Sequence, residues 1–129
     1  MLLDGDLLSV DCGAIVNGWH GDAAFTMGVG AISADAQRLI DTAESALVAA
    51  IAEMRDGRTL GDIGAAIESV VTAAGYGSPH DYCGHGIGEA MHEEPDVENR
   101  GRRGRGLPLR PGVVLAIEPM LLAGGSDDV

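Results

Sequence analysis

A chain of 129 residues has room for about one ordinary domain, and 46% apolar with 22% charged residues indicates a packed core rather than disorder. Twenty acidic residues against eight basic ones, all of them arginine, leave a net charge of −12. That balance argues against a nucleic-acid surface or an anionic-membrane patch as the main function, since both need clustered positive charge. Cys12 and Cys83 are too few and too far apart for a disulfide framework, which implies a reducing, cytoplasmic setting. No signal peptide or membrane span is visible, because the longest uncharged runs are short and rich in glycine and alanine. The chain opens almost at once on an apolar segment and stops at GGSDDV just after another, so a piece of a larger domain is expected.

LLSVDCGAIV (7–16) is apolar and β-branched enough to predict a strand. Asn17-Gly18 follows, a strong hairpin signal because both residues tolerate positive φ, and WHGDAAFTMGV (19–29) is the return strand. After Ser33, an expected N-cap, apolar residues at 39, 40, 43, 47, 50, 51 and 54 keep helical spacing as far as Gly57. Thr59 starts a second helix, with Asp62 three residues on as a variant capping box. Its apolar face is Ile63, Ala66, Ile67, Val70, Val71 and Ala74, and Gly75 closes it. The histidine-bearing run CGHGIGEAMHEEP (83–95) comes next, then NRGRRGRGLPLR, whose five arginines read as a solvated loop. VVLAIEPM ends the series as a short buried strand. A hairpin, two helices and then strands predict an α+β layer fold, with helices on one face of a sheet.

Some polar residues stand where apolar ones belong. Asp11 lies inside the first strand, between Val10 and Cys12; it is either a strand-end residue facing solvent or a carboxylate that must be paired or bound to metal. With a two-residue turn at 17–18, opposed positions sum to 35, so Asp11 faces Ala24 and Gly13 faces Asp22. Asp11 and Asp22 then share a face as diagonal neighbours roughly 7–8 Å apart, too far for a hydrogen bond but suited to gripping an ion between them. A bulge at Gly13 would shift that register. Glu118 ends VVLAIE, and Pro119 forces it into an extended conformation. Alternation puts Val114, Ala116 and Glu118 on one face, continuing an apolar row into a carboxylate.

His85 sits between glycines that let the backbone approach something closely. One imidazole with three carboxylates suits Mn, Fe, Co or Zn rather than a thiolate site. His92, followed by two glutamates, is better placed as a hydrogen-bond donor or acid–base group than as a second ligand. His20, beside Asp22, reads either as a residue orienting a ligand or as an ordinary hydrogen-bonded histidine. His80 is equally open. Nothing beside Cys83 argues for a lowered thiol pKa, so it reads as a small apolar residue.

SVDCGAIVNGWHGDAAFTMGVG, YCGHGIGEAMHEEPDV and LAIEPM together closely resemble the type I methionine aminopeptidases of the pita-bread metallopeptidase family, M24, over nearly the whole chain. The resemblance implies a partial pita-bread fold, with residues 1–129 forming part of a single catalytic domain, and an activity that removes initiator methionine by attack of metal-activated water. Asp11, Asp22, His85 and Glu118 match four of the family's five ligands for two divalent ions. His92 matches the histidine that contacts the scissile amide of the substrate, and Glu118 the acceptor of the water's proton. N-terminal methionyl peptides or nascent proteins are the implied partners, without nucleic acid or membrane, for an enzyme that is monomeric when complete. The lysine-free, alanine-rich composition fits a GC-rich bacterial source. The fifth ligand of the family is a glutamate on a later strand, and no glutamate follows Glu118; Asp127 and Asp128 are poor substitutes. An upstream substrate-binding histidine is also missing, since only ten residues precede Asp11. Within the same fold the alternatives are an Xaa-Pro aminopeptidase, a prolidase or a creatinase-like hydrolase; outside it, a binding module without turnover.

Overall fold

The computed structural model describes residues 1–125, so Asp127 and Asp128 lie outside the described residues. Asn17 and Gly18 take φ of 53° and 87°, the two positive values of a type I′ turn. The turn locks β1 (Leu7–Val16) against β2 (Trp19–Gly28). Pairing runs without a shift from Leu7↔Gly28 to Val16↔Trp19, with Asp11 opposite Ala24 and Gly13 opposite Asp22. No bulge forms at Gly13, so Asp11 and Asp22 stay on one face.

The other face of this hairpin carries Leu8, Val10, Cys12, Ala14 and Val16 beside Trp19, Gly21, Ala23, Phe25 and Met27, without a polar side chain. Trp19 and Phe25 are 59% and 58% exposed there. An apolar surface of this kind favours contact with other polypeptide over water.

Ser33 caps α1 (Ala34–Ala52), its Oγ accepting from the Ala36 N–H at 3.1 Å. The buried stripe is Ile40, Ala46 and Ala50, whereas Ile51, expected on that stripe, is exposed. Ala46 and Ala50, both fully buried, join Ile63, Ile67 and Val71 in one cluster. On α2 (Leu60–Ala73) the expected face holds: Ile63, Ala66, Ile67 and Val71 are buried, and Val70 and Ala74 pack at its margin. With Val97, Leu109 and Tyr76 these residues form the core.

The Asp62 carboxylate secures the start of α2. It accepts from the Thr59 N–H at 2.8 Å, the Thr59 hydroxyl at 2.9 Å and the Gly104 N–H at 3.2 Å. The next two helix-start amides, Leu60 and Gly61, donate to the carbonyls of Leu107 and Arg105 at 3.0 and 2.9 Å, meeting a need every helix N-terminus has. The arginine-rich segment is therefore bound through its backbone, while the Arg102, Arg105 and Arg110 side chains stay exposed. Arg103 instead pairs with Glu53 at 2.9 Å.

These contacts predict acid lability. The Thr59 amide, followed by the Thr59 hydroxyl, the Gly104 amide and Arg58, holds the Asp62 carboxyl below its ordinary value; Arg103, then Arg58 and Arg55, does the same for Glu53. A depressed folded-state pKa gives stability that is present above the unfolded-state value, about 4 for both residue types, and lost as pH falls through the lower folded value. Circular dichroism should show unfolding that sets in below about pH 4. Asp62→Asn should be less stable at pH 7 and flatter across that acid window. Superimposable acid curves for the two proteins would refute the assignment.

A second sheet has the order β4-β3-β5 and is antiparallel throughout, with β3 (Gly84–Gly86) between β4 (Glu93–Val97) and β5 (Leu115–Ala116). Among the described residues, no helix is long and apolar enough to cross a membrane.

Candidate metal centre

His85 is the middle residue of the middle strand, opposite Asp96 on β4 and Ala116 on β5. Its flanking glycines do admit a close approach, but of neighbouring backbone. A Cβ at Gly84 would collide with the Ala116 carbonyl, and one at Gly86 with the Glu94 carbonyl. Pairing puts His85 and Ala116 on one face, and the period of two carries that face on to Glu118. The row is less buried than the sequence implies, since Val114 is 63% exposed and β5 ends at Ala116. Glu118 lies beyond the ladder, its side chain partly buried.

The hairpin brings in Asp22. It is joined to the loop after β3 through His20, whose N–H donates to the Gly88 carbonyl at 2.8 Å while its ring Nδ1 lies 3.3 Å from the same oxygen. His20 thus acts as a structural tie. His85 Nε2 then stands 3.0 Å from Glu118 Oε1 and 3.5 Å from Asp22 Oδ2. Asp22, His85 and Glu118 each offer a ligand atom, all within 4.8 Å of one another. The Asp11 carboxylate falls outside that group. Its register places it one diagonal step from Asp22, and its charge reaches Glu118. His92 is exposed, its ring centroid 4.3 Å from that of His85 and tilted by 57°. Glu93, next to it, turns back to accept from the Ala90 N–H at 2.7 Å.

The electrostatics ask for a cation. His85 Nδ1 lies 2.8 Å from the Gly86 carbonyl, which only accepts, so Nδ1 carries a proton. In the neutral ring Nε2 is then a lone pair facing two carboxylates, and Glu118 Oε1 is buried with no hydrogen-bond partner among the described residues. Burial pushes the Glu118 carboxyl up; Asp22 and Asp11 add to the rise, while His85 and His92 oppose it. Either a second ring proton or a divalent ion between Nε2 and the carboxylates relieves this arrangement. One imidazole nitrogen with carboxylate oxygens is a donor set for Zn, Mn, Fe or Co, so the residues present fit a metal ion. The Cys83 thiol does not compete as a nucleophile, because burial, with Asp96 and Glu98, raises its pKa.

One residue at the site has no counterpart in the sequence reading. Asn99 is 2% exposed, and its Nδ2 donates to the Glu118 carbonyl at 2.9 Å. An Asn before a glycine- and arginine-rich stretch looks like a turn residue, and nothing local signals the partner 19 positions away.

A hairpin, a helix pair and short strands that bring an imidazole and two carboxylates together define an α+β, pita-bread type of protein with a candidate metal site. The chain belongs to metallopeptidase family M24, whose model matches residues 1–127. It is 48% identical over 124 residues to methionine aminopeptidase of Clostridium acetobutylicum, covering 96% of this chain and 50% of that protein. Its structure is similar to that of methionine aminopeptidase from Rickettsia prowazekii, with a TM-score of 0.95, 39% identity, and coverage of 98% and 51%. Prolidase from Pyrococcus furiosus is more distant, at a TM-score of 0.76 and 27% identity over 89% of this chain and 33% of that one. The chain spans about half the length of the methionine aminopeptidases it matches.

Proposed function

We propose that these residues form the metal centre and acid–base apparatus of a methionyl aminopeptidase, as part of a single catalytic domain. The observation that carries this reading is the placing of His92 against His85, at the edge of the Asp22–His85–Glu118 cluster. A metal cluster alone fits many proteins; a second, exposed imidazole beside it supplies a donor for a substrate carbonyl.

One cluster of three ligand residues is present among the described residues. Two ions are proposed, with Asp11 joining Asp22 as a second carboxylate, its position fixed by the unshifted hairpin. When bound, divalent ions would lower the pKa of a nearby water and stabilise charge that develops on the carbonyl oxygen. Glu118 accepts the proton of the attacking water, a task suited to a carboxylate held against the cluster, 3.0 Å from His85 Nε2. His92 donates to the scissile amide and steadies the tetrahedral state. N-terminal methionyl peptides or nascent chains are the proposed substrates, in the cytoplasm.

Higher identity to methionine aminopeptidases than to a prolidase favours methionine release over Xaa-Pro cleavage. The deciding assay supplies Met-Ala-Ser and an Xaa-Pro peptide, with Mn or Co, to a protein that carries these residues within the relatives' full length. Free methionine from the first peptide and no cleavage of the second is the expected outcome. Xaa-Pro cleavage alone would replace this reading with the prolidase one.

A further inference from the structure

Glu118 needs outside support to hold its place. The β3–β5 ladder ends at the His85↔Ala116 pair, two residues short of Glu118, and Pro119 has no N–H with which to continue the pairing. The Glu118 backbone carbonyl is held by the side chain of Asn99, which donates from Nδ2 at 2.9 Å. Asn99 follows β4, on the far side of β3 from β5. It therefore ties the two outer strands together past Gly84, where the Ala116 backbone lies too close for a Cβ.

Asn99 also carries a cost that a packing role does not explain. The residue is 2% exposed, and Oδ1 is buried with no hydrogen-bond partner among the described residues. Leucine has a similar branched shape and would strand no acceptor. What asparagine offers and leucine lacks is the donated bond to Glu118.

We infer that Asn99 is a positioning residue for the metal centre: its bond to the Glu118 carbonyl fixes where the Glu118 carboxylate meets His85 and Asp22. The inference rests on the metal-centre reading above. Groups that orient a ligand tune a site's affinity, and losing one costs about 10–100-fold in metal binding.

The test uses cobalt(II) alone, titrated into the apo chain and followed by calorimetry and by the visible absorption bands that report ligand geometry. Asn99→Leu removes donor and stranded acceptor together; Asn99→Asp keeps the shape and, when ionised, replaces the donor with a second, charged acceptor facing the Glu118 carbonyl. Both should stay folded by circular dichroism, bind cobalt about 10–100-fold more weakly than wild type, and show altered bands. A purely structural Asn99 would change the melting temperature alone, so a folded variant with wild-type affinity and spectrum overturns the inference. Glu118→Gln separates the two levels. If it weakens binding while the Asn99 variants do not, only the inference falls; if wild type binds no cobalt, the metal-centre reading falls and the inference with it. Should neither Asn99 variant fold, the wild-type side-chain amide decides. Donation to Glu118 requires Nδ2 protons protected from solvent exchange, and fast exchange overturns the assignment.

Discussion

Alanine at His85 is expected to remove most of the metal binding of this protein, whereas alanine at His92 should leave metal content nearly intact and cut the rate. The two rings lie 4.3 Å apart, centroid to centroid, yet they differ in what holds them. His85 is buried, its Nδ1 proton committed to Gly86 and its Nε2 aimed at Glu118 and Asp22. Removing it deletes a ligand atom and leaves the Asp22 and Glu118 carboxylates without the imidazole that both face. The loss should therefore exceed the roughly 10–100-fold that follows removal of an orienting partner. His92 is exposed, beside the cluster but outside it, so His92→Ala costs the group proposed above to act on substrate. A fall of about 10²–10³ in kcat is the scale for losing one preorganised transition-state donor. Metal analysis by mass spectrometry on both variants, with peptide turnover measured in an active form of the protein, checks both halves. Equal metal loss in the two would refute separate roles.

Legibility in the sequence followed the range of the interactions. The hairpin register needed only Asn17-Gly18 and the period of two, both local, and it put Asp11 and Asp22 on one face. Ser33, and the Thr59–Asp62 pair, marked the helix starts for the same reason: each cap bonds to a residue three positions away. Glu118 was visible as a carboxylate ending an apolar row, although the row proved only partly buried. The helix–helix contact was less legible. Spacing placed Ile40 and Ala50 on the packed face, where they lie, but it also placed Ile51 there, which is exposed, and passed over Ala46, which is fully buried; small residues carry little weight in an apolar pattern. The glycines around His85 do mark a close approach of the backbone, and what it approaches is the adjacent strands. Asn99 was invisible, because its function lies in a bond to a backbone carbonyl that no side-chain pattern records.

The second large effect concerns these 129 residues as an isolated chain: they should bind at most one divalent ion with useful affinity and release almost no methionine from peptides. Three candidate ligand residues cluster among the described residues, and Asp11 lies outside that group, one diagonal step from Asp22 on the same hairpin face. By the family resemblance, two ions share a further bridging glutamate, and no glutamate follows Glu118 in this sequence. A two-metal centre depends on its bridges, which hold the ions about 3.5–4 Å apart so that attacking and leaving groups are stabilised together. With one ion the cleft keeps a Lewis acid and loses that geometry. The uncovered apolar hairpin face, with Trp19 and Phe25 exposed, should also draw the isolated chain into self-association, which sedimentation would reveal as a concentration-dependent mass. Calorimetric titration with Mn or Co should therefore give a stoichiometry no higher than one ion per chain, together with negligible turnover of Met-Ala-Ser. Two tight sites with robust methionine release would contradict this, and would mean that a second chain supplies the missing bridge.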